Sequence, residues 1–190
     1  MIIGITGGTG CGKTTLLKEI EARGGLVLDC DAVYHELLTR DMALLNAIND
    51  RFPGVVVDKK LERKKLGAIV FADEAALRDL NAITHGAIRA EIIRRLSEKP
   101  QLAAIDAIAL FEGGLAELCD TTVAVCAPKA ERIQRLMKRD GISQEYAENR
   151  INAQKSEDWF RSVCGHTLYN VGTREAFTQK CAAFLDEILK

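Results

Sequence analysis

Met1-Ile2-Ile3-Gly4-Ile5-Thr6 runs directly into Gly7-Gly8-Thr9-Gly10-Cys11-Gly12-Lys13-Thr14-Thr15, and this stretch decides the fold. The first six residues form an apolar run of strand length, and Leu16, Leu17 and Ile20 beyond the turn repeat at helical spacing. Between them, Gly7, Gly12, Lys13 and Thr14 satisfy G-x-x-x-x-G-K-[ST], the loop that cradles phosphates. Glycine lets the chain adopt backbone angles that a Cβ would forbid, so that several N–H groups converge on one polyphosphate. The helix starting at Lys13 adds the positive end of its dipole to the same point. Lys13 supplies a mobile charge for the β- and γ-phosphates, and the Thr14 hydroxyl is placed to hold Mg²⁺. A plain tight turn needs neither the Lys-Thr pair nor four glycines among residues 7–12. Gly8, Thr9, Gly10, Cys11, Gly12, Lys13, Thr14 and Thr15 are therefore the candidate contacts of a nucleoside triphosphate.

Downstream, Gly24-Gly25 ends the first helix, and Leu26-Val27-Leu28 reads as a short buried strand delivering Asp29-Cys30-Asp31. Strand, helix, strand at this spacing is a βαβ unit with a parallel sheet. In a doubly wound sheet the second strand is expected beside the first. Ligands bind at the carboxyl ends of such strands, which puts both aspartates on the loop side. One can cap the following helix and leave the other to accept a proton from an acceptor hydroxyl or help hold Mg²⁺.

Segments 42–51, 61–70 and 74–96 each carry an apolar stripe, with a break at Phe52-Pro53-Gly54, and predict a helical insertion over the sheet edge. Leu102–Asp106, Thr122–Cys126 and Thr167–Asn170 read as further strands, and 129–139, 143–155 and 174–189 as helices. The expected architecture is one α/β domain with a parallel β-sheet core (1–31, 102–128 and 156–190), a helical insertion (32–101) and a helical hairpin (129–155) turning at Asp140-Gly141.

Composition excludes several classes. A net charge of −1 gives no global reason to expect nucleic acid as a partner. No run of 18 apolar residues is present and no basic segment precedes the first strand, so neither a membrane span nor a secretory signal is expected. The six cysteines form no C-x-x-C pair and match neither a zinc site nor a disulfide frame, which fits a reduced cytoplasmic compartment. Cys11 reads as a small loop residue. Its place at a helix N-terminus amid cations offers the alternative of a favoured thiolate that ATP would shield.

Arg132, Arg135 and Arg139 fall at i, i+3 and i+7 on one helix face, with Lys138 and Arg150 near. Such a run is often a solvated basic face. Followed by a glycine turn and a second helix, it also has the plan of a hinged lid whose arginines stabilise a transferring phosphoryl group. Arg139 is then the key residue, and Arg132 is expected to matter least. The absence of Asn-Lys-x-Asp and Asp-x-x-Gly argues against a guanine-specific switch, and Lys13 stands where a dinucleotide fold needs its third glycine.

In this ordered set the chain resembles the dephospho-coenzyme A kinase family from Ile3 to about Gly172. The carriers are the opening loop, Leu28-Asp29-Cys30-Asp31, Val70-Phe71, His85-x-x-Ile88-Arg89, Asp106 with Leu110-Phe111-Glu112-Gly113-Gly114-Leu115, Arg135–Gly141 with Arg150 and Gln154, and Asn170-x-Gly172. The resemblance implies a P-loop kinase that phosphorylates the ribose 3′-hydroxyl of dephospho-coenzyme A with ATP and Mg²⁺. It implies that Asp31 is the base, that Arg139 acts from the lid and that Asn170 lies on the adenine side. It further implies that His85 and Arg89 contact the acceptor, while Asp106, Phe111 and Glu112 shape its pocket. Gly86, Ile108 and Gly165 depart from the family pattern, two replacing prolines and one an acid. A kinase of the same build acting on a nucleoside monophosphate or another small metabolite is the alternative.

Overall fold

Strands apolar on both faces must be covered on both, and helices in the crossovers do the covering. The computed structural model describes residues 1–190. Its seven strands are β1 (Ile2–Thr6), β2 (Leu26–Asp29), β3 (Val56–Val57), β4 (Lys60–Leu61), β5 (Ala103–Asp106), β6 (Thr121–Cys126) and β7 (His166–Tyr169). Five form one sheet in the order β2-β5-β1-β6-β7, and β1 pairs in parallel with both β5 and β6, as β6 does with β7.

The chain divides into two units, residues 1–28 with 99–190, and residues 29–98. In the first, α1 (Lys13–Ala22) and α9 (Arg174–Ile188) cover one sheet face. Leu16, Leu17 and Ile20 of α1 and Phe177, Cys181 and Leu185 of α9 close over Ile3, Ile5, Val123 and Val125. The alternate residues of β6, Ala124 and Cys126, face Phe160 of α8 (Glu157–Val163). α6 (Lys129–Asp140) and α7 (Gln144–Asn152) share a small apolar cluster of their own, Leu136, Ala147 and Ile151 with Ile133 and Ile142.

In the second unit α2 (Cys30–Arg40), α3 (Met42–Arg51) and α4 (Arg63–Val70) pack on the long α5 (Glu74–Leu96). Aspartates cap three of these helices: Asp29, Asp41 and Asp73 each accept backbone N–H groups of the first turn. The buried Glu91 accepts from Arg94, Arg95 and Arg40 at 2.6–2.8 Å. Those arginines, Arg94 foremost, hold its carboxyl well below the usual carboxylate range.

The expectation that β2 lies beside β1 is corrected, because β5 stands between them. Periodicity identifies a strand but not its slot. The chain leaves the sheet for residues 29–98 and fills the intervening slot on its return. The short hairpin β3–β4 and helix α8 were also not anticipated. Each hairpin strand has two residues, too few to show alternation, and its turn places Asp58 and Lys59 at φ 48° and 61° without a glycine. No helix is long and apolar enough to cross a membrane.

Candidate active site

β1 delivers its last residue, Thr6, fully buried, with its hydroxyl donating to the Ile108 carbonyl at 3.1 Å. The chain then turns through Gly7, Gly10 and Gly12 at φ 137°, 78° and 99°, angles open to glycine. Gly12 caps α1, and a Cβ there would fall 2.2 Å from Nδ2 of Asn170. That amide, buried at the end of β7, donates to the Cys11 carbonyl at 2.9 Å. The adenine-side asparagine of the sequence reading is therefore bonded to the phosphate loop itself.

Lys13 curls back over the loop. Its Nζ donates to the Gly7 carbonyl at 3.2 Å and stands 3.7 Å from Oδ1 of Asp106 at the end of β5. Because β5 is the immediate neighbour of β1, Asp106 faces the phosphate lysine. The family resemblance gave this residue only to the acceptor pocket.

The basic run on α6 is graded in depth. Arg132 is buried, with Nε donating to the Thr9 carbonyl at 2.9 Å. Arg135 reaches the Gly10 carbonyl at 3.2 Å, and Arg139 is mostly exposed. Arg132, expected to matter least because it lies furthest from the hinge, is set against the phosphate loop instead of facing solvent. Counted along the helix the three share a face, but α6 leaves the sheet at Pro128, so its first turn lies against the loop.

Arg139 lines a cavity of about 540 Å³ with Thr14, Thr15, Lys18, Arg135, Lys138 and Arg174. Five cations and two hydroxyls with no acid among them suit a polyanion. Lys18 and Arg174 were missed, although Lys18 lies one helical turn beyond Thr14 and so on its face. Arg139 donates to Asp140 at 2.6 and 2.9 Å, and Arg150 donates to the same carboxylate at 2.7 Å. The two guanidiniums, Arg139 first, hold the Asp140 carboxyl down at about 2. Its unfolded-state value is higher, so this clasp is present throughout the neutral and mildly acidic range and is lost only as pH falls toward 2.

Cys11 does not have a favoured thiolate. Its side chain is buried in the core cluster between α1 and the sheet, and burial pushes the thiol up despite Lys13 and Arg132 nearby. The loop residue points inward, so the helix dipole acts on a desolvated group. Native protein treated briefly with iodoacetamide at pH 8 should leave the Cys11 peptide unmodified with or without ATP, and denaturation should expose it. Rapid native labelling that ATP suppresses would restore the thiolate reading. The half-buried Cys119 and Cys164 thiols, pushed up by desolvation to about 12 and 11, should react slowly as well.

The second unit carries the remaining candidates. Asp29 caps α2, its Oδ1 accepting from the N–H of Asp31 at 2.8 Å and of Ala32 at 3.1 Å. Asp31 is exposed in the first turn of α2 and has no capping duty. His85 and Arg89 are half-buried one turn apart on α5, which continues unbroken through Gly86. Within the first unit, Phe111 meets Trp159 edge-on at 6.0 Å and Glu112 is exposed. Of the other departures, Ile108 supplies the carbonyl that anchors Thr6, and Gly165 donates its N–H to Thr122 at 3.0 Å.

No group of three or more His, Cys, Asp or Glu is placed to hold a metal. Oxygen donors beside the loop include the Thr14 and Thr15 hydroxyls and the Asp106 carboxylate, all hard ligands. This set fits Mg²⁺, which keeps waters and substrate phosphates as its main ligands and needs no all-protein cage.

Comparison with known proteins agrees with this geometry. A family model described as dephospho-CoA kinase matches residues 1–175. A dephospho-CoA kinase of Anaeromyxobacter dehalogenans is 37% identical over 193 residues, covering 98% of this chain and 92% of that protein. Among solved structures, TT1252 from Thermus thermophilus superposes with a TM-score of 0.82 at 33% identity, covering 99% of this chain and 97% of that one. The dephospho-CoA kinase from Campylobacter jejuni does so with a TM-score of 0.69 at 26% identity over 98% and 96%.

Proposed function

The chain belongs to the dephospho-CoA kinase family, and on that premise we propose how its residues share the reaction. It transfers the γ-phosphoryl group of ATP to the ribose 3′-hydroxyl of dephospho-CoA, giving CoA and ADP. The acceptor oxygen forms a bond to the γ-phosphorus as the bond to the bridging oxygen of ADP breaks. The hydroxyl proton passes to Asp31. Such transfer relies on positioning and charge more than on covalent help from the protein.

The observation that carries this reading is the Lys13 ammonium held between its own loop and Asp106, beside a cavity lined with five cations. Gly8 to Thr15 hold the triphosphate, Lys13 neutralises its β- and γ-phosphates, and Asn170 fixes the loop end nearest the adenine. Thr14 and Asp106 would hold Mg²⁺, which when bound offsets phosphate charge. His85 and Arg89 contact the acceptor, and Phe111 and Glu112 shape its pocket. The helix pair α6–α7 is the lid. Its substrates are small molecules, and we place the enzyme in the cytoplasm, where ATP is available and its six free thiols stay reduced.

ADP release with ATP and dephospho-CoA, measured beside a panel of nucleoside monophosphates, tests the assignment. Release should require dephospho-CoA, and equal or faster release with a monophosphate would transfer the assignment to that acceptor.

Arg139 provides a second test. In the structure it rests on Asp140, so reaching a phosphate means leaving that carboxylate, and its contribution belongs to the closed transition state. Arg139→Ala should lower kcat by roughly 10²-fold or more while either KM moves only a few-fold. Arg139→Lys should restore little, because an ammonium lacks the two-pronged fork. A mutant that loses affinity and keeps kcat would make Arg139 a ground-state contact instead.

A further inference from the structure

Glycine-rich loops have little conformational preference of their own, so their shape must be imposed from outside. Thr9, between Gly8 and Gly10, is where this chain imposes it. The Thr9 N–H donates to Oε1 of Gln154 at 2.8 Å, and the Thr9 carbonyl accepts from Nε of Arg132 at 2.9 Å. Nη2 of Arg132 donates in turn to the same Gln154 oxygen at 3.3 Å. The ring is closed. Both backbone groups of one residue are engaged by two side chains that also bond each other.

Those side chains come from opposite feet of the lid. Arg132 lies in the first turn of α6, and Gln154 lies two residues beyond the end of α7. Glycine at position 8 leaves room for the guanidinium where it stands: a Cβ there would fall 2.2 Å from Nη2 of Arg132, and the side chain would have to shift. Because the peptide is planar and trans, fixing the Thr9 carbonyl toward Arg132 turns the Gly10 N–H the opposite way. Arg132 is 7% exposed and its partners here are a carbonyl and a neutral amide, so its charge is not cancelled by an acid. A buried cation without a carboxylate partner, lying against a loop built for anions, adds to the attraction for phosphate.

We propose that Arg132 and Gln154 are positioning residues that act as one unit, fixing the Thr9 peptide for the phosphates and tying both feet of the lid to the loop. The proposal rests on the reading that this loop holds ATP. It predicts a selective and non-additive loss. Gln154→Met removes the shared oxygen at similar size, and Arg132→Met removes both donors. Each should lower kcat/KM for ATP by roughly 10- to 100-fold, the scale of an ångström-level misplacement. The KM for dephospho-CoA should move less than about threefold, since the acceptor is held by other residues.

The double variant should be no worse than the worse single, because a closed unit can be broken only once. Should Arg132→Met not fold, Arg132→Lys serves in its place. It keeps the charge, loses the second prong, and should show the same non-additivity with Gln154→Met. Thermal unfolding of each variant is measured alongside, with kinetics taken well below the lowest midpoint. Losses that multiply in the double variant would overturn the proposal, as would wild-type kcat/KM for ATP in either single or a KM for dephospho-CoA that rises as much as that for ATP. Wild-type protein that fails to phosphorylate dephospho-CoA would sink the functional reading itself, a distinct outcome.

Discussion

Asp31→Asn should fold and bind ATP as the unaltered chain does, yet turn over about 10²–10⁴-fold more slowly, the usual contribution of a positioned base. Asparagine preserves the shape and hydrogen bonding of the side chain but cannot take the hydroxyl proton. The neighbouring aspartate is the internal control. Asp29 has its oxygen committed to the N–H groups of Asp31 and Ala32, and asparagine caps a helix about as well as aspartate. Asp29→Asn should therefore leave both stability and turnover close to normal. Steady-state kinetics and a melting curve on the two variants decide the matter. A crippled Asp29→Asn beside a healthy Asp31→Asn would reverse the assignment.

Lys13→Ala should lower kcat by roughly 10²–10³-fold, because removing one charge-stabilising contact from a phosphoryl-transfer site is typically worth about 3–4 kcal/mol. Two features of the site raise the effect toward the upper end. The ammonium is already held at the loop by the Gly7 carbonyl, so little ordering remains to be done when ATP arrives. Its removal also takes away a positive charge 3.7 Å from the Asp106 carboxylate, which leaves the surroundings of the phosphates more negative. ATP should still bind measurably, since backbone N–H groups and the helix N-terminus remain. Single-turnover kinetics separates the two effects, and a variant with near-normal chemistry would remove Lys13 from the catalytic set.

Much of this fold was legible because its signals are local. The strand-loop-helix opening, the three helical stripes after Asp31 and the strands near residues 103, 122 and 167 each show their own periodicity or turn chemistry. What was not legible depends on distant partners. The slot of β2 is fixed by where the chain returns after residue 98, and nothing within Leu26–Leu28 carries that information. The same return brings Asp106 close to Lys13. The burial of Arg132 against the loop was hidden for a related reason. Helical spacing predicts that Arg132, Arg135 and Arg139 share a face, but their depth is set by how α6 leaves β6 beside the loop. Cys11 keeps its reading as a small loop residue, and the alternative drawn from the helix dipole fails because the loop turns the side chain into the core.

The most direct measurement is ³¹P NMR of the product formed by the unaltered chain from ATP and dephospho-CoA. The account predicts one new phosphomonoester on the ribose 3′-oxygen, in amounts equal to the ADP formed. Phosphate on any other oxygen, or ADP formed without a phosphorylated acceptor, would contradict it.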